Sequence, residues 1–202
     1  MKVKTILDTK KKVISLHDMA NDTGDFISLI QTAFIYNKSK LLQGCKEQAE
    51  NSRKETDQIS TIITAYSLDD PYLKPYKPVP AHIINIWKSL EKLSELTAKK
   101  IEGHILFSDK AADETIFLLQ RLIEIMRPTA DIILARNTFL SKYIVYSQTG
   151  VEKMAKEYAT LHEDRLITGE CMPEAASIFV KMLEAIKDIA WNAKEIAVKL
   201  AG

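Results

Sequence analysis

Helix-breaking residues are scarce in this chain: six glycines and six prolines in 202 residues. Four of the prolines, Pro71, Pro75, Pro78 and Pro80, fall in one segment, "DDPYLKPYKPVPAH". Long tracts are therefore free of breakers, which favours helices throughout. There are two cysteines, Cys45 and Cys171, and neither has a CxxC partner. That spacing suggests neither a disulfide framework nor a zinc knuckle, and free thiols fit a reducing cytoplasm. Charge of one sign is missing too. The formal net charge is +1, so no global field draws in nucleic acid or an acidic membrane surface. Lys10, Lys11 and Lys12 form a short basic run that reads as a solvated helix face. No stretch approaches the ~18 apolar residues a membrane span needs. The opening "MKVKTILDTKKKVISL" lacks an apolar core long enough for a signal peptide. A soluble, cytoplasmic protein, peripheral to a membrane at most, is the expectation.

What is present is helical periodicity. Phe179, Met182, Ile186, Ile189, Ala193, Ile196 and Leu200 are spaced by alternating threes and fours. That is the seam of a helix packed in a bundle. Pro173 suits the first turn, where its missing N–H costs nothing, so the spacing predicts a helix from about Pro173 to Leu200. Gly169 is a C-cap candidate for the helix before it, roughly Phe139 to Ile167. Another helix begins after the N-cap candidate Ser108, and Pro128 should kink or break it. The first half follows the same plan. Helices are expected from roughly Lys10 to Leu42, with Gly24 a weak point, from Lys46 to Tyr66, and from Ala81 to Gly103. Lys99 and Lys100 suit the last turn of the third. The fold expected is all-α: two tandem three-helix bundles, residues 1–106 and 107–202, related by internal duplication.

The third helix of each half carries a carboxylate pair four residues apart: Glu91 and Glu95, then Glu184 and Asp188. In both, a leucine (Leu90, Leu183) precedes the first acid, and an apolar residue (Leu93, Ile186) lies midway on the opposite face. Such neighbours repel by a few tenths of a kcal/mol, so a cation, a metal or water must offset them. Oxygen-rich patches accept iron, manganese and zinc. Di-iron bundles add a Glu-x-x-His step, which is missing: His17, His82, His104 and His162 are scattered. Lys181 and Lys187, each three residues from Glu184, can neutralise it without a metal. Trp87 and Trp191 flank the acids and read either as partly buried bundle residues or as contact patches. Cys171 lies beside a helix start, where a thiolate gains stability. With no conveniently spaced His or Asp, it reads as a turn or packing residue. The proline-rich segment, with Tyr72 and Tyr76, reads as a docking loop or a stiff polyproline connector.

The stretch "LHEDRLITGECMPEAASIFVKMLEAIKDIAWNAKEIA" resembles the C-terminal part of the PhoU family and of the PhoU-like domain attached to sodium/phosphate cotransporters. The residues that carry the likeness are His162 to Leu166 with Arg165, the turn Gly169-Glu170-Cys171-Met172-Pro173, and Glu184, Asp188 and Asn192. In the first half it rests on Met19, "KETDQI" and "LEKLSEL". The resemblance implies two three-helix bundles with an acidic motif on each third helix. It implies a cytoplasmic regulator of phosphate uptake and phosphate signalling, not an enzyme. Such a regulator acts with a phosphate ABC transporter and a sensor histidine kinase, and many members of the family form homodimers. It further implies iron or zinc on the acidic faces, here Glu91, Glu95, Glu184 and Asp188, with Asp57 from the adjacent helix. Trp87, Trp191 and Asn192 would then belong to a partner contact. Where the family favours a small residue before the second acid, this chain has Lys187 in one motif and Ser94 in the other. The competing readings are a carboxylate-bridged metal bundle for storage or catalysis, and a helical interaction module without a phosphate link.

Overall fold

The computed structural model describes residues 2–67 and 70–201, with side chains from residue 10 onward. Six α-helices are formed: α1 (Lys2–Tyr36), α2 (Cys45–Tyr66), α3 (Val79–Glu102), α4 (Asp109–Ala135), α5 (Thr138–Ile167) and α6 (Pro173–Ala201). No strand occurs among the described residues. The chain is all-α, two three-helix bundles related by internal duplication: α1–α3 and α4–α6. The halves share one core. α1 packs most extensively on α4, and α3 on α6, so the first and third helices of each half form the junction. α2 lies against α3, and α5 against α6, on the outer sides. α6 owes its central place to a seam buried along its whole length, from Ala175 and Phe179 through Ile186 to Leu200.

The helix ends follow local chemistry. Ser108 caps α4 by accepting from the Ala111 N–H at 3.3 Å, and Asn137 caps α5 by accepting from the Phe139 N–H at 2.7 Å. α1 stops at Tyr36 rather than at Leu42, because Asn37 turns into the left-handed region (φ 50°). The Lys38 N–H then returns to the Ala33 carbonyl at 3.0 Å, the Schellman closure, and Ser39–Leu42 form a separate 3₁₀ turn. α3 closes the same way, with His104 rather than Gly103 taking the positive φ. Gly103 is required for another reason: a Cβ there would lie 2.9 Å from the Lys99 carbonyl oxygen. Gly169 (φ 76°) closes α5, and the Glu170 N–H bonds the Arg165 carbonyl at 2.9 Å.

Two expected interruptions do not interrupt. α4 runs unbroken through Pro128, although an interior proline costs about 3 kcal/mol. Burial of Ile125, Met126, Ala130, Ile132 and Ile133 around it offsets that cost. α1 runs through Gly24, which faces Met126 of α4: a Cβ there would be 3.8 Å from the Met126 Cβ. Lys100, in the last turn of α3, is buried rather than solvated. Its ammonium donates to Asn37 Oδ1 at 2.6 Å and lies 4.9 Å from the Phe34 ring centre, tying the ends of α1 and α3 together.

The proline-rich segment is neither a free docking loop nor a polyproline rod. Its first residue, Asp69, lies outside the described residues. The rest forms a turn and a short 3₁₀ helix, Lys74–Tyr76, that leads into α3. Leu73 and Tyr76 are buried, and the Tyr76 hydroxyl donates to the Ile133 carbonyl of α4 at 2.9 Å. Burial holds that phenol well above its ordinary range. The segment is a strap from the first half to the second.

Candidate functional site

Leu90 and Leu93 of α3, and Leu183 and Ile186 of α6, are buried, as their matched positions require. The acids beside them meet different surroundings. Glu91 is only 15% exposed and forms an ion pair with Arg53 of α2. Ser94 is buried on the same side of α3, near Cys45 at the start of α2. Glu95 and Asp57 are both exposed. In α6, Glu184 is 53% exposed, with Lys92 Nζ of α3 3.7 Å away across the junction of the halves. Asp188 is also exposed, and Lys187 is half-buried between the two acids. Among the described residues, no group of three or more His, Cys, Asp or Glu side chains stands close enough together to hold a metal ion.

Beyond Asp188 the surface changes character. Asn192 is buried; its Nδ2 donates to the Asp188 carbonyl at 2.8 Å, and its Oδ1 lies 2.9 Å from His82 Nδ1. This amide links α6 to the first turn of α3. Trp191 is 45% exposed, edge-on to the His82 ring at 5.9 Å, with Lys194 Nζ 5.7 Å from its ring centre. Trp87 is its opposite. It is fully buried, edge-on to Phe26 at 5.3 Å, and presents no surface to a partner. Its position on the seam of α3, between Ile83 and Leu90, sends the indole inward. The sequence pairing of the two tryptophans is therefore not a pairing in role.

Three further features had weak sequence signals or none. The first is an acidic recess between α1 and α2, lined by Asp22, Glu47, Asn51 and Glu55. Asp22 is exposed, but partial desolvation in this recess, with Asp25, Asp18 and Glu55 adding repulsion, pushes its carboxyl above its ordinary range. The second is an aromatic stripe on the outer face of α5: Phe139, 76% exposed, then Tyr143 and Tyr146, the last 80% exposed. Tyr146 borders a groove of about 370 Å³ between α4 and α5, with Arg121, Gly150, Lys153 and Met154. The spacing 139, 143, 146 had a readable helical period, but an apolar stripe is normally assigned to a core.

The third lies where α5 turns into α6. Arg165 is buried, and its Nη2 donates to Glu114 of α4 at 2.7 Å. Its Nε and Nη1 are buried without an acceptor. His162, also buried, stacks on Phe179 at 4.4 Å and places Nε2 3.3 Å from Cys171 Sγ. Sequence spacing offers Cys171 no His or Asp, but the fold brings His162 to it. The left-handed turn at Gly169 folds Cys171 back onto the last turns of α5. Burial pushes the His162 imidazole down and the Cys171 thiol up, while Arg165 draws the thiol back toward its ordinary value.

No family model matches the chain, and no curated protein matches its sequence. Solved structures do match its shape. PhoU from Pseudomonas aeruginosa superposes with a TM-score of 0.83 at 12% identity, over 99% of this chain and 97% of that one. The phosphate transport system regulatory protein PhoU from Streptococcus pneumoniae superposes with a TM-score of 0.85 at 5% identity, over 97% and 94%. From its first helix to its last, the chain has the PhoU fold.

Proposed function

We propose that this chain is a cytoplasmic, PhoU-like regulator of phosphate uptake and phosphate signalling that works by protein–protein contact and not as an enzyme. The observation that carries the reading is the end-to-end correspondence of six helices with PhoU structures, one of which is a phosphate transport system regulatory protein. Fold likeness at this identity leaves the role to the surfaces. Two of them suit contact. The Phe139–Tyr143–Tyr146 stripe exposes aromatic area on a rigid helix, with a groove beside it. Exposed aromatic clusters of this kind are enriched at interfaces. Trp191 with His82 and Lys194 makes a smaller patch over the junction of the halves. No helix among the described residues is long and apolar enough to cross a membrane. The contact proposed is with the cytoplasmic side of a phosphate ABC transporter, or with a sensor histidine kinase.

In this reading the paired acids are ion-pair and solvated residues, not metal ligands. Arg53 already holds Glu91, and Lys92 approaches Glu184. A cation of iron or zinc type would have to displace protein charges at both places. The test is affinity purification of the tagged chain from its own cells, grown in high and in low phosphate. Recovery of a transporter or kinase component, weakened by Tyr146→Ala and Phe139→Ala, supports the reading. Recovery of neither component in either condition contradicts it.

A further inference from the structure

The cluster at the α5–α6 turn has no part in the regulator reading, and its chemistry is of another kind. A cysteine and a histidine meet at 3.3 Å, both buried, with an arginine beside them. The two cysteines of the chain form a natural contrast. Cys45 is 3% exposed at the start of α2, and the side chain near it is the Ser94 hydroxyl, which is no base at neutral pH. Cys171 is 9% exposed, at the surface edge of a turn whose neighbours Glu170 and Met172 are both exposed. It directly precedes the capping residue of α6, and its thiol lies 3.7 Å from the Met172 carbonyl oxygen, to which it can donate when it is not donating to His162.

The cluster also lacks something specific. Arg165 Nε, Arg165 Nη1 and His162 Nδ1 are buried with no hydrogen-bond partner. Buried polar groups are normally satisfied, and each exception needs a reason. A guanidinium with two free donors calls for an oxygen acceptor, negatively charged for preference. Sulfur in a thiol is a weak acceptor; sulfur that has gained an oxygen is a strong one.

We propose that Cys171 is a site of reversible oxidation by small hydroperoxides, with His162 as the base that takes the thiol proton and Arg165 as the donor that stabilises the oxidised product. The Cys171 S–H proton passes to His162 Nε2 while sulfur attacks the terminal oxygen of the hydroperoxide. The S–O bond forms and the O–O bond breaks. The departing oxygen takes the proton from His162 and leaves as water or an alcohol. Sulfur loses two electrons, the peroxide gains them, and Cys171 is left as a sulfenic acid. Arg165, whose charge already acts on the Cys171 thiol and whose Nε and Nη1 have no partner, is the donor assigned to that new oxygen. An external thiol reverses the change through a mixed disulfide. The resting pair is neutral thiol and neutral imidazole, so proton transfer accompanies attack and does not precede it. Because the turn joins α5 to α6, the added oxygen alters the packing where the outer helix of the second half meets the central one.

The experiment treats the folded full chain with hydrogen peroxide and traps sulfenic acid with dimedone, reading labelling rates at Cys171 and Cys45 by peptide mass spectrometry. A general base typically contributes ~10²–10⁴-fold, so labelling at Cys171 is expected to exceed that at Cys45 by at least about tenfold. His162→Gln is expected to bring the Cys171 rate within about threefold of Cys45, with helical content unchanged; His162→Asn replaces it if the glutamine variant misfolds. Equal rates at the two cysteines in the unmodified chain would overturn the proposal without recourse to any variant. So would a Cys171 rate that a folded His162 variant leaves unchanged. The readout is a chemical rate on purified protein, so it fails or succeeds independently of any link to phosphate.

Discussion

The acidic motifs of α3 and α6 occupy the same register in two copies of one unit, yet they sit in different electrostatic settings. Glu91 is drawn in against Arg53 and leaves only 15% of its side chain to solvent, whereas Glu184 keeps 53% and meets Lys92 at 3.7 Å. Three residues on, the first copy buries Ser94 and the second carries a half-buried Lys187. The lesson is that duplication preserves the side of the helix a residue faces, which the apolar seam dictates. It does not preserve the partner, which comes from another helix and varies freely. An ion pair with little solvent around it has high stakes when one member is lost, while an exposed pair contributes little.

The largest effect should come from forcing the second setting onto the first. Ser94→Lys places an ammonium in a buried position beside Cys45 and is expected to cost about 3 kcal/mol by urea denaturation, the scale of an unpaired buried charge. The reverse change, Lys187→Ser, should stay within about 0.5 kcal/mol of the unmodified protein. Next comes Arg53→Met, which strands Glu91 with little solvent; a loss of about 2 kcal/mol is expected. Arg53→Met with Glu91→Gln should recover part of that loss, because the stranded charge is gone. Lys92→Met, the matching deletion at Glu184, should cost less than about 0.5 kcal/mol. Equal losses for Arg53→Met and Lys92→Met would erase the contrast between the copies. Metal analysis sharpens it further: protein purified without chelator should carry well under one equivalent of iron, zinc or manganese. Chelator should leave its melting temperature unchanged.

The smallest effect concerns the acidic recess of the first half. The Asp22 carboxyl titrates above its ordinary value, so the folded chain holds that proton more tightly than the unfolded chain does. Stability is then lost as pH rises from the ordinary aspartate value through the raised folded one, and the penalty persists at neutral pH. Asp22→Asn should therefore raise stability by a few tenths of a kcal/mol at pH 7, the scale of like-charge repulsion between neighbours. The gain should vanish below about pH 3.8, where the unfolded carboxyl is protonated as well. Thermal melts at the two pH values check the sign.

How much of this was legible beforehand follows from the range of each interaction. Ser108, Gly169 and Pro173 marked their helix ends because capping is settled within a few residues. The seam of α6 was readable because its apolar positions repeat locally. Asn37 carries a signal too: asparagine tolerates the left-handed region, which ends α1 short of the expected Leu42. Pro128 misled in the other direction, since tertiary burial outweighed a local penalty. The site was less readable than the fold. Arg53 lies 38 residues from Glu91, and no spacing rule connects them. His162 lies only nine residues from Cys171, but the contact depends on a chain reversal that composition does not reveal. Trp87 and Trp191 looked equivalent until the packing placed one inside and the other out.

Uptake of labelled phosphate by cells grown in plentiful phosphate, with and without the gene for this chain, tests the central claim most directly. A phosphate regulator of this fold predicts altered uptake on deletion, restored by the unmodified chain and less fully by a Phe139→Ala, Tyr146→Ala variant that folds normally. Uptake unchanged by deletion, in both high and low phosphate, would contradict the account.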